Sequence, residues 1–125
     1  HRADAIRAAE IGVDGIIVSN HGGRQLDQAP AALEVLPGIH AAVGDKVTLM
    51  IDGGIRRGAD IIVAMCHGAR FVFVGRATLY GAAAGGIAGV QRAISILREE
   101  IDVTLAQIGC PNARELDESF LMPRS

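Results

Sequence analysis

Apolar residues along this chain recur with two different spacings. Residues 3–11 place Ala5, Ile6 and Ala9 on one stripe, with Ala8 beside them, and Gly12 supplies a stop. That spacing predicts a helix. Gly15-Ile-Ile-Val-Ser19 follows as a β-branched run without polar alternation. Such runs suit strands buried on both faces of a parallel sheet. Residues 30–43 predict a second helix, with Pro30 in its first turn and Leu33, Leu36 and Val43 apolar. Pro37-Gly38 is expected to break or kink it. Val47-Thr-Leu-Met-Ile51 predicts a second strand, and residues 59–67 a third helix closed by Gly68. Phe71-Val-Phe-Val74 predicts a third strand. A long amphipathic helix is expected from residue 89 to 105 or beyond, carrying Val90, Ile94, Leu97, Ile101 and Leu105 at spacings of three and four. Cys110-Pro111 ends it, and the tail to Ser125 offers Leu116, Phe120 and Leu121 for docking.

The resulting order is αβαβαβα. Strands that alternate with helices argue for parallel pairing with crossover helices. Two architectures fit: a small doubly wound sheet, or part of a (β/α)₈ barrel. A complete barrel needs eight strands and about 250 residues. This chain has 125 residues and three predicted strands, and it begins at His1, without methionine, inside a predicted helix. It is therefore expected to be a piece of a domain.

Composition narrows the class. Hydrophobic residues make up 50% of the chain, ample for a core, which excludes disorder. The longest apolar runs, such as residues 61–66, fall far short of the roughly 18 residues that span a bilayer. A net charge of -2 gives no global attraction to nucleic acid. Lys46 is the only lysine, so the positive charge is almost all arginine, which suits bidentate capture of carboxylate or phosphate. Codon bias would produce the same excess. Cys66 and Cys110 form no metal-ligand spacing, and no metal is expected. Cys66 reads as a small core residue, and a reduced, intracellular setting is the default.

Each predicted strand ends in a polar or glycine-rich cluster. These are Ser19-Asn-His-Gly-Gly-Arg24, Asp52-Gly-Gly-Ile-Arg-Arg-Gly58 and Gly75-Arg76. In parallel α/β folds sites form at the carboxyl ends of strands, so the three clusters are expected on one face. The second and third read as a phosphate grip. Glycines allow backbone N–H groups close to phosphate oxygens. The helix starting near Ala59 is expected to aim its positive end there, and Arg56 and Arg76 add charge-assisted hydrogen bonds. The competing reading is a tight turn with solvated arginines. His21 and Arg24 pair a proton acceptor with a carboxylate fork, which suits proton abstraction from a small carboxylic acid. Such a pair also occurs on ordinary loop surfaces. Asp52 could bind a ligand hydroxyl or brace its turn. Tyr80, His40 and His67 read as packing or structural residues.

Ser19-Asn-His-Gly-Gly-Arg-Gln-Leu-Asp27, Asp52-Gly-Gly-Ile-Arg-Arg-Gly58 and Gly75-Arg76 together closely resemble the FMN-dependent 2-hydroxy-acid dehydrogenase/oxidase family. The resemblance covers essentially the whole chain. The segments at 75–81 and 104–111 look most like its bacterial mandelate and lactate dehydrogenase branch.

The resemblance implies an α/β fold, with residues 1–125 forming the carboxyl-terminal part, about three βα units, of one (β/α)₈ TIM barrel. It implies FMN as cofactor and oxidation of a small (S)-2-hydroxy acid of lactate, mandelate or glycolate type to the 2-oxo acid. His21 would be the base that takes a proton as the electron pair passes to the flavin. Arg24 would bind the substrate carboxylate. Ser19 would contact FMN, and Asp52, Gly53, Gly54, Ile55, Arg56, Gly75 and Arg76 would line its ribityl phosphate.

The family's flavin-side lysine, the aspartate that orients the histidine, its tyrosines and a second substrate arginine have no counterpart here. A complementary amino-terminal part is therefore an expected partner. The chain alone is expected to be inactive. The family also implies an electron acceptor (oxygen, quinone or cytochrome), a homo-tetramer, and a location either cytoplasmic or peripheral to the inner membrane. The alternatives are another phosphate- or FMN-binding TIM-barrel enzyme, or a catalytically incomplete flavin-binding fragment that acts as an assembly partner.

Overall fold

Helix α1 (Arg2–Ile11) stops where Gly12 turns left-handed, at φ 91°. Glycine adopts this conformation without a Cβ clash, and the N–H groups of Gly12 and Val13 close the last turn on the Ala9 and Ala8 carbonyls. Strand β1 (Gly15–Val18), helix α2 (Ala32–Val43), strand β2 (Thr48–Ile51), helix α3 (Gly58–Cys66), strand β3 (Phe71–Val72) and helix α4 (Arg76–Ile108) follow. The computed structural model describes residues 1–122; the last three residues of the predicted tail, 123–125, lie outside the described residues. Two compact units are present. One comprises His1–Gly54 and His67–Phe73, the other Ile55–Cys66 and the chain from Val74 onward.

The first unit holds a three-stranded parallel sheet in the order β1-β2-β3. Gly15 pairs with Thr48 and Val18 with Ile51, while Ile51 also pairs with Val72. This register puts Ile16, Val18, Leu49, Ile51 and Val72 on one face. Val18, Leu49 and Ile51 on that face are buried with Leu36, Ile39 and Val43 of α2, Ile16 and Val72 are half-buried, and Leu36 and Ile51 are completely inaccessible. The opposite face carries Ile17, Met50 and Phe71, followed by Phe73. It stays open: Ile17 is 50% and Phe71 55% exposed. The β-branched runs therefore are apolar on both faces, as their composition predicts, but only one face is covered by this chain.

Helix α2 differs from expectation in two ways. Pro30 lies just outside it, where the Ala31 N–H donates to Glu34 Oε2 at 3.2 Å. Pro37 sits inside the helix without ending it. Its ring removes one donor, but Leu36, Ile39 and Val43 on either side are buried and hold the helix against the sheet.

In the second unit α3 packs along α4. Gly58 makes this approach possible, since a Cβ there would lie 2.5 Å from Glu100 Cβ and 2.6 Å from the Ile101 nitrogen. Helix α4 holds two arms: the second contains the helix predicted from residue 89, and an unexpected first arm starts thirteen residues before it, at Arg76. It is kinked at Gly85 and Gly86, where φ is -158° and 56°. The kink folds the two arms together so that Gly81 and Gly89 meet backbone to backbone, with no room for a Cβ on Gly89 beside the Gly81 carbonyl. Cys66 and Cys110 are free and buried, and burial pushes the Cys66 thiol above its ordinary value. Short 3₁₀ turns at Ala113–Glu115 and Glu118–Phe120 complete the unit, and the second of them rests on α3. Among the described residues no helix is long and apolar enough to cross a membrane.

Candidate active site and phosphate grip

The first cluster leaves the carboxyl end of β1 as a tightly wound loop. His21, Gly22 and Gly23 all have positive φ, at 54°, 68° and 75°. His21 is the one non-glycine residue among those described that adopts this conformation. A side chain there costs on the order of 1 kcal/mol, so the surroundings must enforce it. They do so through the two preceding residues. Ser19 Oγ accepts the His21 N–H at 3.1 Å, and Asn20 Oδ1 accepts the Gly22 N–H at 2.9 Å. Asn20 Nδ2 donates to the Pro30 carbonyl at 3.1 Å, which ties the loop's start to its far end. The sequence motif contains Asn20, but its bracing role appears only in the structure. The result is that His21 and Arg24 are both exposed on one short, internally held turn.

The second cluster begins beside the first. The Asp52 N–H donates to the Val18 carbonyl at 3.3 Å, so β2 ends level with the residue before Ser19. Gly53 and Gly54 then turn left-handed in succession, at φ 89° and 79°. A Cβ on Gly53 would touch Asn20 Oδ1 at 3.4 Å, whereas Gly54 faces open space. Asp52 Oδ1 is buried and has no hydrogen-bond partner among the described residues. A buried carboxylate oxygen without a donor is costly, and a ligand hydroxyl is one group that would satisfy it.

The remaining predicted residues lie in the second unit. Ile55 is buried, so only its backbone is available to a ligand. Arg56 is exposed, and its guanidinium stands 5.7 Å from the centre of the Tyr80 ring. Tyr80 therefore does more than fill space; it supports a cation on its π face. Gly75 and Arg76 form the start of α4. Gly75 has no side-chain cap, and the Thr78 hydroxyl donates to its carbonyl at 2.9 Å.

This arrangement corrects one expectation. The positive end of α3 is already occupied by protein carboxylates. Asp60 Oδ2 accepts the Arg56 and Arg57 N–H groups, both at 2.9 Å, and Glu100 Oε2 accepts the Gly58 N–H at 2.6 Å. The uncapped helix start is that of α4, preceded by Gly75 and opened by Arg76. Helix starts without side-chain caps leave N–H groups free for anions. Neither Asp60 nor Glu100 was singled out by sequence. Asp60 carries a readable signal, an acidic residue in the first turn, whereas Glu100 lies 42 residues from the amide it caps.

Residues 1–123 match the family model described as FMN-dependent dehydrogenase. The chain is 54% identical over 118 residues to L-lactate oxidase of Nostoc sp., covering 94% of this chain and 32% of that protein. It is 46% identical over 118 residues to human 2-hydroxyacid oxidase 1, covering 94% and 32%. Among solved structures it superposes on (S)-mandelate dehydrogenase from Pseudomonas putida with a TM-score of 0.93 and 48% identity, covering 98% of this chain and 35% of that one. Flavocytochrome b2 follows with a TM-score of 0.91 and 42% identity, covering 96% and 32%. The chain thus spans about a third of the length of these relatives, and its parallel βα units correspond to part of their barrel. On the match of nearly its whole length, this chain belongs to the FMN-dependent dehydrogenase family.

Proposed function

We propose that the complete enzyme containing this chain oxidises a small (S)-2-hydroxy acid to the 2-oxo acid, with His21 as base and Arg24 as carboxylate ligand. The observation that carries this reading is the left-handed His21, held in place by Ser19 and Asn20 at the carboxyl end of β1. Strain of this kind persists where the surroundings over-determine it, and it clusters at functional sites.

An unprotonated imidazole nitrogen of His21 takes a proton from the hydroxy acid. The Arg24 guanidinium holds the acid's carboxylate as a fork, which fixes the orientation of the carbon that is oxidised. Bound FMN supplies the two-electron acceptor for that oxidation.

The residues present fit FMN. Ser19 Oγ accepts from the His21 N–H and keeps its own hydroxyl proton to donate to the cofactor. The orphaned Asp52 Oδ1 suits a ribityl hydroxyl, and left-handed Gly53 and Gly54 bring bare backbone close. Ile55 contributes through its backbone. In the other unit Arg56, Gly75 and Arg76 suit a phosphate, with the uncapped start of α4 behind it.

The complementary part of the barrel is the expected partner. Among the described residues β1 pairs only with β2. Successive residues Ile16, Ile17 and Val18 line a cleft of about 590 Å³ with α1 and the start of α2, so the cleft runs along the edge of β1. A preceding strand of the same barrel domain would fill it.

The test is turnover of (S)-lactate and (S)-mandelate by the complete enzyme with and without His21→Ala. Loss of turnover with flavin still bound is expected. Undiminished turnover overturns the assigned base.

A further inference from the structure

We propose that Glu100, on α4, is a positioning residue for the phosphate end of FMN, acting through Arg57 and Gly58 on Arg56. The inference rests on the reading of Arg56 as a phosphate ligand. Glu100 makes three contacts with the first residue of α3 and the residue before it. Its Oε2 accepts the Gly58 N–H at 2.6 Å, and its Oε1 accepts the Arg57 Nε–H at 2.7 Å and pairs with Arg57 Nη2 at 2.7 Å. Glycine at 58 lets the two backbones close to this distance, since any Cβ would collide with Glu100 Cβ.

These contacts act on Arg56 in two ways. First, with Asp60 they pin three successive amides. The Arg56 and Arg57 N–H groups are held by Asp60 Oδ2 and the Gly58 N–H by Glu100. The peptide carrying Arg56 cannot rotate without breaking one of these bonds, and its guanidinium is thereby delivered to the face of Tyr80. Secondly, Arg56 and Arg57 are adjacent arginines with opposite fates. Glu100 engages Arg57 through two nitrogens, which neutralises it and turns it toward α4. Arg56 has no ion pair among those found for the described residues and keeps its fork for an incoming anion. Glu100 thus decides which of the two arginines meets the phosphate, without touching it.

The experiment measures FMN dissociation from the complete enzyme for Glu100→Gln, Arg57→Gln and Arg56→Ala, and for Glu100→Gln combined with Arg56→Ala. Glu100→Gln keeps the side chain's length and an acceptor for Gly58 but removes the charge. Arg57→Gln, at a largely exposed side chain, breaks the same contact and serves if Glu100→Gln does not fold. Each is expected to weaken FMN binding by about tenfold, the size of one charge-assisted hydrogen bond. The KM for the hydroxy acid in flavin-saturated enzyme should stay unchanged. The Glu100→Gln effect should vanish when Arg56 is already alanine, because the residue acts through it. Equal weakening in both backgrounds overturns the proposal in favour of a general effect on folding. Wild-type FMN affinity in Glu100→Gln and Arg57→Gln, with affinity lost in Arg56→Ala, overturns it while leaving Arg56 as ligand. Wild-type affinity in Arg56→Ala sinks the reading of Arg56 itself, and the proposal with it.

Discussion

The guanidinium of Arg56 lies over the ring of Tyr80, 5.7 Å from its centre. One residue comes from the loop after β2 and the other from the second turn of α4. The ring holds the cation where a flexible side chain would otherwise sample many rotamers. Tyr80→Ala should weaken FMN binding by about threefold to fivefold, the worth of an exposed cation–π contact. Tyr80→Phe should bind nearly as well as the parent, since the face is retained. Flavin fluorescence titration distinguishes the two.

Asn20 is expected to matter to turnover more than to cofactor retention. Its side chain makes two of the hydrogen bonds that hold the His21 turn, the third coming from Ser19. Asn20→Ala should lower kcat by at least about tenfold, because displacing a reactive group by an ångström can cost a hundredfold. Steady-state kinetics on flavin-saturated enzyme is the measurement. An unchanged kcat would mean that the turn holds without Asn20.

Gly54 and Gly53 require their left-handed conformation. Alanine at Gly54 meets no neighbour, so its cost is purely conformational, about 1–2 kcal/mol. Alanine at Gly53 adds contact with Asn20 Oδ1. Gly54→Ala should therefore lower the denaturation midpoint of the complete enzyme, and Gly53→Ala should lower both the midpoint and kcat. Chemical denaturation and kinetics on the same preparations would test the distinction.

Glu100 gives the fold an acid-sensitive contact. The Gly58 N–H, and after it Arg57, hold its carboxyl below the ordinary glutamate range. A group whose folded value is depressed stabilises the fold above its unfolded value and loses that contribution as pH falls through the folded value. Stability should thus be flat near neutrality and decline below the ordinary glutamate range. Glu100→Gln should decline less steeply there, as followed by urea midpoints at a series of pH values.

The strands and the tight turn after β1 were legible because their signals are local. β-branched runs mark β1 and β2, and a dense motif marks 19–27. What escaped depends on distant partners. Residues 76–88 contain Gly81, Gly85 and Gly86, a composition that reads as loop. All but the kink at Gly85 and Gly86 is helical, and Gly81 and Gly89 pack arm against arm across that kink. Pro37 failed to break α2 because buried neighbours outweigh one lost donor. The second unit's carboxylate clamp joins residues more than forty positions apart, and no local pattern announces it.

Ile17, Phe71 and Phe73 leave an oily surface on the sheet, bordered by a β1 edge with no partner among the described residues. Detached from whatever covers it, such a surface is a template for aggregation: bare strand edges recruit other strands, and exposed aromatics cement the stack. The positions that would furnish a barrel's interior therefore also set a handling rule. Produced alone, this polypeptide should accumulate as insoluble material, and co-expression with the complementary segment should return it to solution.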